Sequence, residues 1–393
     1  MSEVFIVGAV RTAIGTFGGA LKDVPAVDLG ARVAAEALSR SGAAPTDIGA
    51  VVFGQVIQTE PKDMYVSRVA AVNAGIPVEV PALTVNRLCG SGLQAVISAA
   101  QSIMLGDCEM ALAGGVESMS RAPFLAPAMR WGARMGDTAM TDMMLGALHD
   151  PFHRIHMGIT AENVAERYGI SREEQDALAL ESQHRASRAI RSGRFKDQII
   201  GVELKTRKGV TVFAEDEHVR HDAKIEDMQG LRAAFKKDGG TVTAGNASGI
   251  NDGAAAVVLA SAEAVSRHGL KPLARLVGYG HAGVDPAYMG IGPIPATRLA
   301  LARTGLSVGD MDVIESNEAF AAQACAVSRE LGFDPAKVNP NGSGISLGHP
   351  VGATGAINTV KIVYELQAGR GRYGLVTMCI GGGQGIAAIF ERA

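Results

Sequence analysis

The sequence predicts an α/β fold built from two similar halves, one of them interrupted by a long insertion. Three observations predict it. Residues 37–55, ALSRSGAAPTDIGAVVFGQ, align without a gap on residues 300–318, ALARTGLSVGDMDVIESNE, 263 positions later. Val7-Gly8 in FIVGAV pairs with Val277-Gly278 in RLVGYG, 270 positions later. ASGINDGAAAVV at 247–258 resembles CIGGGQGIAAIF at 379–390, but there the separation is only 132. Two similar separations point to duplication. The shorter one places about 131 extra residues in the first half, ahead of its last strand.

The elements follow in order. The opening MSEVFIVGAVRTAIG has an acidic Glu3 and no basic region before its short apolar run, so it reads as a first strand rather than a signal peptide. Residues 37–55 and 300–318 each read as a helix, a Gly C-cap (Gly42, Gly305) and a strand. The uncharged run from Leu88 to Gly106 has the length of a membrane span. Its three glycines, three serines and two glutamines favour a helix buried in a large core. The insertion falls between Ser118 and Ser248 and holds the only Trp, Trp131, with several methionines. Within it Ser171-Arg-Glu-Glu174 forms a capping box ahead of DALALESQHRASRAI, an amphipathic helix. The rest alternates Gly- and Met-containing loops with short apolar pieces. The predicted division is 1–118 with 249–270 as the first half, 119–248 as the insertion, and 271–393 as the second half.

Composition narrows the function classes. At 393 residues the chain is too long for one simple core. Its net charge of −3 and lack of a basic stretch give no reason for nucleic-acid binding, and no segment calls for a membrane. The four cysteines, Cys89, Cys108, Cys325 and Cys379, lie far apart with no CxxC pair. They fit reduced thiols of a cytoplasmic protein better than a zinc ribbon or a disulfide scaffold.

Four segments carry chemistry. In NRLCGSGLQAVISAAQ, Cys89 precedes a Gly-Ser-Gly turn and an apolar helix, where the helix N-terminus would favour a thiolate. A small thiol packed under the helix is the competing reading. In NPNGSGISLGHPVGATGAINTV, His349 stands in a Gly-rich turn at the mouth of a helix, a place for a general base. The repeat sets position 351 opposite Cys89, so the two turns would meet across a pseudo-twofold axis. In TMCIGGGQGIAAIFE, Cys379 enters Gly381-Gly382-Gly383, whose N–H groups could hold an oxyanion. In ESNEAFAAQA, Asn317 and Glu318 lie at a strand-to-helix junction, where Asn317 would also serve as an N-cap. His149, His153 and His156 have helical metal-site spacing, but Asp150-Pro151 interrupts them and no further ligand completes a set, so no metal site is expected.

Together NRLCGSGLQA, NEAFAAQA, GHPVGATGA and CIGGGQG, in that order, resemble the motifs of the thiolase family, and the resemblance spans the whole chain. GNASGINDGAAA (245–256) and GPIPA (292–296) add to it. Within the family the chain resembles the β-ketothiolases (acetyl-CoA acetyltransferases) of polyhydroxyalkanoate synthesis, and HDPFHRIHMG and LVGYGHAGVDP favour their broad-chain-length branch. The resemblance implies a five-layered αβαβα sandwich of two halves with an inserted loop domain. It implies reversible Claisen condensation of acetyl-CoA with acetyl-CoA or a short acyl-CoA, by a ping-pong route and without a cofactor, the coenzyme A thioester being the substrate.

The implied roles are specific. Cys89 is the acylated nucleophile, His349 its base, and Cys379 the acid/base for the α-proton. Asn317 holds a water in an oxyanion hole with His349, and the N–H groups of Cys89 and Gly381 form the other hole. Leu88, His156, Met157, Arg220, Ser248, Met289, Ala319 and Phe320 fall on positions that bind CoA or the acyl group. Asp227 departs from the small hydroxyl residue that relatives often carry near the adenine end, and could reposition the nucleotide. The implied assembly is a homotetramer, with the stretch 119–145 supplying contacts. Two other readings differ in kind: a degradative thiolase favouring longer 3-ketoacyl-CoA, and a thiolase-fold module that only binds CoA or lipid and would have lost some of its four motifs.

Overall fold

The computed structural model describes residues 3–206, 209–369 and 371–393. In the first half the strands are β1 (Val4–Thr12), β2 (Ala50–Gly54), β3 (Ala82–Val85), β4 (Met110–Ser118) and β5 (Asn251–Ser261). In the second half they are β6 (Ala274–Gly283), β7 (Val313–Ser316), β8 (Tyr373–Ile380) and β9 (Gln384–Arg392). The order β3-β2-β4-β5-β1 in one half is matched by β7-β8-β9-β6 in the other. The strand directions match too: parallel for β3-β2 and β2-β4, and antiparallel onward to β5 and β1. Likewise β7-β8 is parallel, and β8-β9 and β9-β6 are antiparallel. A single parallel bridge between Ile314 and Val338 stands where β3 stands in the first half.

The repeat extends to irregularities. The register shifts between Ile6 and Gly8 in β1, and between Leu276 and Gly278 in β6. These are the two Val-Gly pairs that aligned in sequence. A bulge at each bends the strand at the same place in both halves. β1 and β6 also pair with each other over two residues, so the halves form one hydrogen-bonded sheet folded on itself.

Helices fill the layers. α1 (Ala26–Ser41) and α2 (Val66–Asn73) cover the outer face of the first half, and α6 (Pro293–Thr304) covers that of the second. α1 and α6 both stop at a left-handed Gly, Gly42 and Gly305. Between the sheet layers lie α3 (Ser91–Leu105) and α8 (Thr354–Gln367), packed against each other. The uncharged run at 88–106 is this central helix α3, and its buried residues include Leu93, Val96, Ile97 and Ile103. Counted through, the layers are α, β, α, β, α. Three apolar cores separate them, the largest around α3 and α8.

Close helix packing requires small residues at the centre. A Cβ on Gly92 would lie 2.5 Å from Ala356 N, and one on Gly355 would lie 2.2 Å from Leu93 N. The two glycines let the starts of α3 and α8 touch backbone to backbone. The turns bearing Cys89 and His349 precede those two helix starts.

Between β4 and β5 runs the long excursion. It contains α4 (Met157–Tyr168) and α5 (Arg172–Arg191), the latter opened by the Ser171–Glu174 capping box. By contrast β8 and β9 are separated by a tight turn. A buried ion pair ties the excursion to β1: Arg11 Nη1 and Nη2 donate to the two Asp216 carboxylate oxygens at 2.7 and 2.9 Å. A second buried pair, Lys361 to Glu315 at 2.5 Å, fastens α8 to β7. Removing one partner of such a pair typically costs ~3–5 kcal/mol. α7 (Ala321–Leu331) packs on α4 and α5 and completes the wall behind the site.

Candidate active site

Cys89 sits on a strained turn. Leu88 before it has φ of 45°, in the left-handed region. The turn is held by Leu88 N donating to Asn86 Oδ1 (2.9 Å), Arg87 N donating to Ser91 Oγ (2.8 Å) and Ser91 Oγ donating to Leu88 O (2.6 Å). Such a conformation costs on the order of 1–3 kcal/mol and persists only where its surroundings enforce it. Its effect is to present Cys89 to a cavity of about 290 Å³.

His349 is placed by the second half and by β5. Its N–H donates to Asn251 Oδ1 at 2.9 Å, and Asn251 Nδ2 donates to Gly15 O at 3.0 Å. Gly348 has φ of 106°, and a Cβ there would lie 2.4 Å from Asn251, so glycine is required. The imidazole's tautomer follows from Thr354. Its hydroxyl lies 2.9 Å from Pro350 O, which can only accept, and 2.7 Å from His349 Nδ1. The Thr354 hydrogen goes to the carbonyl, so Nδ1 carries the ring proton and donates to Thr354 Oγ1. Nε2 is left as an acceptor, facing Asn317 Nδ2 at 3.4 Å.

Asn317 lies between β7 and α7 but is not the N-cap of α7, whose cap position is Phe320. Instead Asn339 clamps the junction. Its Oδ1 accepts from Ser316 N (2.9 Å), and its Nδ2 donates to Ser316 O (2.8 Å) and to Glu318 Oε1 (2.9 Å). The Asn317 side chain is thereby turned to His349. Asn317 Oδ1 is buried with no protein hydrogen bond.

The electrostatics correct one sequence-based expectation. Cys89 is not held as a thiolate by its helix. Burial pushes its thiol up to about 11, although the N–H groups of Gly381 and of Cys89 itself face the sulfur and act in the opposite sense. The reason is magnitude: desolvation shifts buried groups by up to about 3–5 pK units. A helix N-terminus contributes typically ~0.3–1 kcal/mol, less than one pK unit. Burial also pushes His349 down to about 4, so its imidazole is neutral and ready to accept a proton. The Cys379 thiol is pushed up by burial and by the nearness of Cys89. The arrangement is a neutral thiol beside a neutral base, with two N–H donors converging where charge would develop.

The cavity brings together most of the predicted contact residues. Leu88, His156, Met157, Ser248, Met289, Ala319, Phe320 and Gly381 line it together with Cys89 and His349. Ser248 N donates to Ala319 O at 2.9 Å, and Ala247 bridges Phe320, which makes one wall. His156 caps α4, its Nδ1 accepting from Gly158 N at 3.0 Å, and its ring stacks on Phe235 at 4.6 Å. Among the described residues no group of three His, Cys, Asp or Glu side chains could hold a metal, and His149 instead meets His156 edge to face. Cys379 and Asn317 are buried and are not among the residues that line the cavity.

Two predicted positions lie elsewhere. Arg220 is exposed and outside the cavity lining, its backbone N donating to Gln183 Oε1 at 2.8 Å. Asp227 is also exposed, and its carboxylate accepts from Lys224 N at 3.0 Å, capping the short helix Ile225–Gln229. The carboxylate is thereby engaged by its own turn. Sequence reasoning missed Thr354, Asn251 and Phe235. Thr354 left a local signal, a hydroxyl five residues after His349 at the start of a helix, and Asn251 lies in GNASGINDGAAA, a family-like motif that gave this residue no role.

Comparison with known proteins places this geometry. Residues 4–263 match the thiolase N-terminal domain and residues 270–392 the thiolase C-terminal domain. The chain is 70% identical to beta-ketothiolase BktB of Cupriavidus necator over 390 residues, 99% of each chain. It is 52% identical to an acetyl-CoA acetyltransferase of Syntrophomonas wolfei, over 99% of each. A crystal structure of human mitochondrial 3-ketoacyl-CoA thiolase in complex with CoA superposes with a TM-score of 0.97 at 46% identity, covering 100% of this chain and 98% of the other.

Proposed function

The chain belongs to the thiolase family, and we propose that it joins acetyl-CoA to acetyl-CoA or a short acyl-CoA, giving 3-ketoacyl-CoA and CoA, reversibly. The observation that carries the reading is one apolar cavity lined by Cys89, His349 and Gly381 together, with the buried Cys379 near enough to Cys89 for the two thiols to interact. In the first half-reaction His349 Nε2 takes the Cys89 proton as sulfur attacks the thioester carbonyl. The developing oxyanion is met by the N–H groups of Cys89 and Gly381. CoA leaves as a thiolate, takes the proton back from His349, and departs as CoA thiol. Acyl-Cys89 remains.

In the second half-reaction the neutral His349 Nε2 takes the Cys379 proton, and the resulting Cys379 thiolate removes an α-proton from the incoming acetyl-CoA. The Nε2–H of the now protonated His349, with a water held by Asn317, donates to the enolate oxygen. The carbanion attacks acyl-Cys89, the C–S bond breaks to give 3-ketoacyl-CoA, and Cys89, expelled as a thiolate, takes the proton from His349 Nε2, restoring the resting enzyme. Two cysteines and one histidine account for every proton moved, so the reaction calls for no metal or redox cofactor, and the CoA thioester is substrate only. Met157 and Met289, flexible and polarisable, suit an acyl pocket of adjustable depth. Arg220, an exposed cation, suits the phosphate end of CoA.

The test is thiolysis of 3-ketoacyl-CoA substrates of increasing chain length. We expect cleavage of acetoacetyl-CoA and the next short homologues, with acetylated enzyme formed from acetyl-CoA alone. No turnover of any short substrate would overturn the reading.

We further propose a homotetramer assembled through the stretch 119–145. Trp131 and Met135 are 92% and 95% exposed in the single chain, with Phe124, Met129 and Met140 exposed beside them. Apolar surface of this kind is stabilised by burial against another copy. Sedimentation is expected to give four times the chain mass. Replacing Trp131 and Met135 by Ser is expected to lower it. A monomer at every concentration would exclude the assembly.

A further inference from the structure

Gln323 lies at the start of α7, wholly buried and outside the cavity lining. Its amide orientation follows from its neighbours. One end is 2.7 Å from the Ala324 N–H and must be the oxygen. The other is 3.0 Å from the Asn317 carbonyl and must be the NH2. That NH2 end also lies 3.3 Å from Cys379 Sγ. The amide has two hydrogens, one for the Asn317 carbonyl and one for the sulfur. Glycine at 290 lets the side chain reach this place, since a Cβ there would sit 2.6 Å from Gln323 Cβ.

Resting on the assignment of Cys379 as the α-proton base, we propose that Gln323 is a positioning residue for Cys379, its amide N–H donating to Sγ throughout the second half-reaction. The consequence is directional. An N–H donor occupies a sulfur lone pair and favours the thiolate, which must form in a buried place where burial opposes it. Once Cys379 holds the α-proton, its S–H is free to point at the substrate and return it. With the amide turned the other way, the S–H would be donated to the Gln323 oxygen and drawn away from the substrate. The Ala324 N–H and the Asn317 carbonyl prevent that turn.

The test compares two half-reactions in the full-length enzyme: acid-quenched acetylation of Cys89, and exchange of acetyl-CoA methyl protons with deuterated solvent. Gln323→Met keeps the length and loses the donor. Gln323→Glu keeps an acceptor for Ala324 N–H and sets an oxygen against the sulfur. A hydrogen bond to a charged group supports an expected loss of about ten- to a hundredfold in exchange for both variants. Acetylation should stay at the wild-type rate, which also certifies folding, and the KM for acetyl-CoA in exchange should be unchanged. Wild-type exchange in either variant overturns the proposal, as does acetylation falling in step with exchange. Cys379→Ser separates the two levels. If it too exchanges at the wild-type rate, the base assignment itself is wrong; if it alone loses exchange, only the role of Gln323 fails.

Discussion

Replacing Cys379 by Ser is expected to leave Cys89 acetylation intact while cutting α-proton exchange, condensation and thiolysis by about 10²–10⁴-fold, the range a positioned general base contributes. Acetylation needs the thiol of Cys89, the neutral Nε2 of His349 and the donors of Cys89 and Gly381. None of these involves the Cys379 side chain. Exchange, condensation and thiolysis all pass through the same α-carbanion, and a serine hydroxyl in a buried site is a far weaker base than a thiolate. Cys89→Ala should fail differently, with no acyl-enzyme from any thioester and no turnover. Radioactive acetyl-CoA with acid quench, beside proton exchange followed by NMR, reads both. Loss of labelling in Cys379→Ser with labelling kept in Cys89→Ala would reverse the roles. Turnover in both would remove the cysteines from the mechanism.

His349→Ala is expected to slow acetylation of Cys89 by a similar factor at neutral pH, about 10²–10⁴-fold. Its pH profile should change shape. In the wild type the imidazole is held down to about 4, so its base form is present throughout neutral pH and acetylation should fall only as pH drops toward that value. Without the imidazole, attack depends on Cys89 ionising by itself, and burial holds that thiol up at about 11. The thiolate fraction then grows about tenfold per pH unit. The variant's rate should therefore climb steadily through the alkaline range while the wild type stays level. A variant with the wild-type profile would mean that another group takes the Cys89 proton.

Much of this protein follows from local signals. The duplicated helix–Gly–strand segments depend on chain neighbours, because a helix stops where a left-handed residue costs least, at Gly42 and Gly305. The same holds for the capping box at Ser171 and the bulged Val-Gly pairs of β1 and β6. Duplication then determined the sheet order, since two copies of one pattern fold alike and can pair their remaining edges. The four motifs were legible because each places a reactive side chain beside glycines, which leave its turn open.

Other features were decided only when distant segments met. Whether Cys89 rests as a thiol or a thiolate turns on how much water the folded chain removes from it, and burial outweighed the helix end that sequence suggested. Asn317 could have capped a helix; Asn339 and His349, from later in the second half, turned it to the site instead. The His349 tautomer required Thr354, and the ring's position required Asn251 from the first half. Asp227 was drawn into capping its own turn, and Arg220 stayed outside the cavity lining. The sequence by itself determined which groups are present and which turns carry them, because turn geometry and periodicity are local. Tertiary structure alone decided their protonation and orientation, because desolvation and hydrogen-bond partners are supplied by residues remote in the chain.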